Sequence, residues 1–143
     1  MMKNRFSALC IAAFLCLTTL FFSACANVGQ KIVKYCDKGT SAVNQLKSDQ
    51  AIDQEDADRI LPLISDVRKA GVEYDQVEQA VKAARSSTEK NQKREELRAA
   101  GRQVIASLNR LNDEGVLKIK NEKTRARVSK YLTFAEVIAD LLT

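Results

Sequence analysis

The chain of 143 residues contains no histidine and no tryptophan, a single proline and five glycines. Without histidine there is no Ser–His or Cys–His couple for nucleophilic catalysis and no His-ligated metal site. So few glycines and prolines argue against a Gly-rich phosphate loop and against a turn-rich all-β fold. Aromatic residues are scarce too. Beyond residue 25 only Tyr35, Tyr74, Tyr131 and Phe134 remain. They are not interleaved with basic side chains in the way that base stacking on nucleic acid requires.

Charge is missing from one long stretch. No charged residue occurs between Arg5 and Lys31. Lys3 and Arg5 form a short basic head, Phe6 to Phe22 is apolar apart from Ser and Thr, and small residues follow. That order is the pattern of a secretory signal, whose basic head stays on the cytoplasmic side. The run closes in Phe22-Ser23-Ala24-Cys25, which resembles a bacterial lipobox. Ser23, Ala24 and Cys25 match that pattern, and Phe22 stands where Leu is usual. The resemblance implies a signal peptide over 1–24, removed before Cys25, and a thiol carrying palmitate-type acyl chains. It also implies that Ala26, in place of an inner-membrane-retaining Asp, sends the protein to an outer membrane to face the periplasm. Several acyl chains hold a protein firmly where one is marginal.

The same residues admit two other readings. Ala24-Cys25-Ala26 fits an ordinary signal-peptidase site that would release a soluble protein from Asn27. Left uncut, the uncharged residues 6–30 are enough to span a bilayer core that needs ~20 helical residues. All three place the remainder outside the cytoplasm. There Cys36 becomes an odd thiol in an oxidising compartment, a candidate for an intermolecular disulfide.

After the signal, residues 25–39 show no sustained period and hold two of the five glycines, which predicts a flexible tether. The helical domain is expected over 40–143. A short helix is predicted to start at Thr40. The acidic start Asp53, Glu55, Asp56, Asp58 opens a second over 53–70, kinked at Pro62 and stopped by Gly71. Tyr74, Val77, Val81 and Ala84, then Leu97, Gly101, Val104, Leu108 and Leu111, form two apolar stripes. The polar stretch Arg85 to Glu96 between them leaves two alternatives, one long helix with an exposed middle or a break near Ser86-Ser87, and the break or a protruding hairpin tip is favoured. A last helix is predicted over 119–142. No strand alternation or hairpin dipeptide occurs, so the fold class is all-α, a small bundle of three or four helices.

Motifs for chemistry are thin. Counted as an EF-hand from Asp53, the acidic cluster has Asp58 and Ile64 where Gly and a bidentate Glu are required. The pairs Glu95-Glu96 and Asp113-Glu114 read as solvated carboxylates rather than an acid/base dyad. No catalytic residue, cofactor or metal site is therefore expected. Charge is divided unevenly: residues 37–78 carry ten acids and five bases, residues 79–135 fourteen bases and six acids. The densest basic stretch runs from Lys118 to Lys130. Lys123, Arg127 and Lys130 share one helix face, a candidate surface for an envelope protein, the cell wall or anionic lipid. The expected function is a helical binding or structural module at the cell envelope. The rival is a phage- or prophage-borne outer-membrane lipoprotein, acting as a spanin subunit in lysis or blocking a receptor against superinfection.

Overall fold

The computed structural model describes residues 27–142, apart from the side chains of Phe134, Asp140 and Leu141. The predicted signal peptide, Cys25 and Ala26 lie outside the described residues. Five α-helices follow one another: α1 Val28–Ser48, α2 Gln54–Ala83, α3 Ser87–Arg110, α4 Glu122–Tyr131 and α5 Phe134–Leu142. A π-turn (Leu111–Gly115) and a 3-10 turn (Val116–Lys118) join α3 to α4. The described residues contain no strand, and the protein is an all-α small bundle.

The three long helices share one pattern. On α1, Gly29, Ile32, Cys36, Gly39, Val43 and Leu46 are buried, alternately three and four residues apart. On α2, Ala57, Ile60, Ile64, Val67, Gly71, the half-buried Tyr74 and Glu78 continue the alternation. On α3 it is carried by Gly101, Val104 and Leu108, and Leu111 and Gly115 extend it through the π-turn. This spacing keeps one seam of each helix against its neighbour. α2 takes the centre and runs antiparallel to both. Arg68 Nε meets Asp37 Oδ1 at 2.8 Å and Lys47 Nζ meets Asp58 Oδ1 at 2.9 Å along α1. Arg110 Nη1 meets Asp66 Oδ2 at 3.6 Å along α3. The remaining helices, α4 and α5, cover α1 and α3 through the buried Val128, Leu132 and Ile138.

Three boundaries differ from the sequence reading, each for a physical reason. The expected tether 25–39 is helical from Val28 onward, and Val28, Gly29, Ile32, Cys36 and Gly39 are buried in it. Gly29 serves close packing rather than flexibility. A Cβ placed on Gly29 would stand 2.5 Å from the backbone N and Cα of Asp75. The expected stop at Gly71 is absent, and α2 runs on through Pro62 and Gly71 to Ala83. Pro62 sits on the exposed face, where the hydrogen bond it forfeits can be replaced by water. A Cβ on Gly71 would lie 2.5 Å from Ile32 Cγ2, so this glycine too is a contact point. Finally, the C-terminal helix is two. α4 ends where Leu132 turns inward, and the Thr133 hydroxyl donates to the Lys130 carbonyl at 3.1 Å. The predicted break at Ser86-Ser87 is present: the Ser86 side chain accepts from Glu89 N at 3.1 Å and Glu89 Oε2 accepts from Arg85 N at 3.2 Å.

One buried charge fixes the α1–α2 register. Glu78 is 6% exposed, and its carboxylate receives N–H groups of Asn27 (2.9 Å), Val28 (3.4 Å) and Gly29 (3.2 Å). These are orphan donors of the first turn of α1, satisfied from a neighbouring helix. Lys82 Nζ stands 3.4 Å from the same carboxylate and donates to Asn27 Oδ1 at 3.2 Å. Burial pushes the Glu78 carboxyl upward, but the bonds from Asn27, Gly29 and Val28, with the Lys82 charge, hold it below the ordinary value.

Two predictions follow from this seam. Gly29→Ala should destabilise the fold by about 1–3 kcal/mol through overpacking, although Ala is the better helix former. The urea midpoint checks this, and a raised midpoint would show that the helices do not approach so closely. Glu78→Gln should cost about 1–3 kcal/mol near neutral pH. A depressed folded-state value means that Glu78's stabilisation is complete above the ordinary 4.5 and is lost as pH falls through the lowered value. The difference between parent and variant should therefore shrink on acidification; a difference independent of pH contradicts the cap.

Candidate functional site

Sequence reasoning singles out the basic face of α4. Asn121 opens this helix, its Oδ1 accepting from Lys123 N at 3.0 Å and Thr124 N at 3.1 Å. The Thr124 hydroxyl donates to the Ala51 carbonyl at 3.3 Å, tying the first turn of α4 to the α1–α2 connection. Val128 and Leu132 pin the other side into the core. With that side buried, the opposite one must face solvent. Lys123, Arg127 and Lys130 are all exposed and have no ion-pair partner among the described residues, whereas Arg125 pairs with Glu122 at 3.7 Å. Lys118 and Lys120 are exposed just before the helix. Such an arrangement can attract an anionic surface.

Cys36 requires a correction. It is wholly buried on the α1 seam rather than carried on a mobile tether. Burial first, and the neighbouring Asp37 charge second, push its thiol up to about 12, against a small opposing pull from Arg68. It is thus neither accessible nor ionised at neutral pH, and the expected intermolecular disulfide is closed to the folded chain. The glycines at 29 and 39, read as flexibility, hid this burial.

The acidic cluster serves the start of α2. Glu55 and Asp56 lie in its first turn, Asp56 pairs with Arg59, and Asp58 accepts from Lys47 and Gln54, each at 2.9 Å. The last two bonds hold the exposed Asp58 below the usual carboxylate range. Of the paired carboxylates, Glu96 binds Lys93 at 2.7 Å, Glu95 binds Arg98, and Glu114 binds Arg110 at 3.0 Å. Among the described residues no group of three or more Cys, Asp or Glu could hold a metal, and no helix is long and apolar enough to cross a membrane. An open groove of about 370 Å³ lies between α3 and the α4–α5 corner, lined by Ile105, Leu108, Val116, Leu132, Ala135 and Ala139. Its polar lining includes Ser129, Thr133 and Glu136.

Glu78 is the buried charge that sequence reasoning missed. Its signal was present, since an acid at the next step of the apolar series Val67, Gly71, Tyr74 occupies a core position. Compared with protein-family models, curated proteins and solved structures, the chain matches none.

The seclusion of Cys36 is directly testable. A maleimide should leave this thiol essentially unlabelled in the native protein and label it stoichiometrically in guanidinium, read by mass spectrometry. Rapid native labelling would contradict the seating of α1.

Proposed function

We infer that the chain is a small extracytoplasmic lipoprotein, acylated at Cys25 and held at an outer membrane, whose helical bundle binds an envelope partner without catalysing a reaction. The observation that supports a binding role is the face of Lys123, Arg127 and Lys130, exposed together and left without acidic partners among the described residues. Its position suits the role. α4 begins beside Ala51, at the end of α1 remote from Asn27, and the 21 residues of α1 separate those ends by about 30 Å. A chain anchored through Cys25 would hold that end well away from the bilayer. The lysis reading draws part of its support from Cys36 as a bridge to a partner, and burial of that thiol removes it.

Intact mass of the membrane-extracted protein tests the anchor. The expected species begins at Cys25 and carries acyl chains; one beginning at Asn27, or an uncut chain, overturns it. The basic face is tested by capture of envelope components with the full chain. Reversing Lys123, Arg127 and Lys130 to Glu should weaken capture on the order of tenfold, from three rim charges of about 0.5 kcal/mol each. Undiminished capture removes this surface.

A further inference from the structure

We propose that the α2–α3 hairpin tip is the foot on which the bundle rests against anionic phospholipid headgroups, a contact that depends on the acylation of Cys25 inferred above. Chain reach comes first. Cys25 precedes Asn27 by two residues, and two residues span at most about 7 Å. Acyl chains on Cys25 therefore bring the first turn of α1 to the headgroup layer. Lys82, on the last turn of α2, donates to Asn27 Oδ1 at 3.2 Å, so the hairpin arrives at the same level. α2 continues past the Glu78 cap to Ala83, and α3 returns from Ser87. Tyr74 stands beside Gly101, with a Cβ on that glycine 3.6 Å from the ring. In this antiparallel register the first ten residues of α3, about 15 Å of helix, rise beyond the start of α1.

The charge of this tip suits an anionic sheet. From Arg85 to Glu96 no residue is apolar, and the stretch is exposed except for the half-buried Lys93 and Glu96. Its three acids are all engaged locally: Glu89 with Arg85 N, Glu95 with Arg98, and Glu96 with Lys93. Arg85, Lys90 and Arg94 keep no acidic partner among the described residues, and Lys90 and Arg94 lie one turn apart on a shared face. A protein partner would call for an aromatic or aliphatic anchor at the centre of the contact, and the tip has none. Diffuse phosphate charge needs only cations, each of which favours contact about fivefold near an anionic leaflet.

The test uses the full-length acylated protein in phosphatidylcholine vesicles, with and without phosphatidylglycerol. A fluorophore goes on Thr88→Cys at the tip or on Glu122→Cys at the far end, with nitroxide-headgroup lipid as quencher. The secluded Cys36 leaves the introduced thiol as the labelled one. Quenching should be stronger at 88 than at 122 when phosphatidylglycerol is present, and should fall as salt screens the contact. Arg85→Glu/Lys90→Glu/Arg94→Glu should reduce the tip-bound population on the order of 10²-fold. The salt series on the otherwise unsubstituted chain carries the test even if the reversal disturbs the helix. Equal quenching at both positions, or quenching indifferent to salt and phosphatidylglycerol, overturns the foot. Absence of acyl mass at Cys25 overturns the anchor and the foot together; acylated, vesicle-bound protein with an unquenched tip overturns the foot alone.

Discussion

The bundle depends on a carboxylate placed where a hydrophobic side chain would be expected. Glu78 occupies a seam position of α2 and there receives three backbone N–H groups from the start of α1. A buried charge costs several kcal/mol unless it is well satisfied. Here the helix dipole, the N–H donors and Lys82 satisfy it together, and only in one register of the two helices. Slide α1 by a turn and the carboxylate loses its donors, while Gly29 no longer faces Asp75. Specificity of alignment and closeness of approach are thus enforced at the same place.

The rest follows along the seam. Once Gly29 meets Asp75 and Gly71 meets Ile32, the side chains that come next along the seam, Cys36 and Val67 included, are enclosed. Gly115 meets Leu63 and Ile60 from the other flank of α2, at the end of the π-turn. That wide turn carries the chain out of α3 and lets Val116 and Ile119 drop into the core before Asn121 starts α4. The two short helices then close the remaining side, and their amphipathic character leaves the cationic trio of α4 in solvent.

How much of this is legible in the sequence depends on which signal a residue sends. The helical class, the acidic start of α2 and the break before Ser87 follow from periodicity, dipole complementarity and a capping serine, all local effects. Failures cluster where tertiary contact overrides local preference. Gly29, Gly39 and Gly71 look like breakers because glycine is a poor helix former, yet two of the three are needed because another helix comes too near for a methyl group. Leu132 belongs to an unbroken apolar series, and nothing nearby in sequence marks it as the residue that turns inward. Lys123, Arg127 and Lys130 are readable as one face from spacing alone, but their lack of acidic partners is a property of the folded surface. Cys36 carried no sequence signal of burial beyond its place in the 3-and-4 alternation, which the glycines obscured.

Asn27 has a left-handed backbone, φ 100° and ψ 43°, a conformation that asparagine tolerates better than most residues. The chain therefore bends sharply as it enters α1, and the bend sits directly on the Glu78 cap. Tension applied through the N-terminal segment would be delivered to that cap and to the Gly29 crossing before any other part of the molecule. With the chain held through Cys25 as proposed, attachment and the first joint to yield under load would coincide, and the bundle would peel from α1 while α2 and α3 stayed paired.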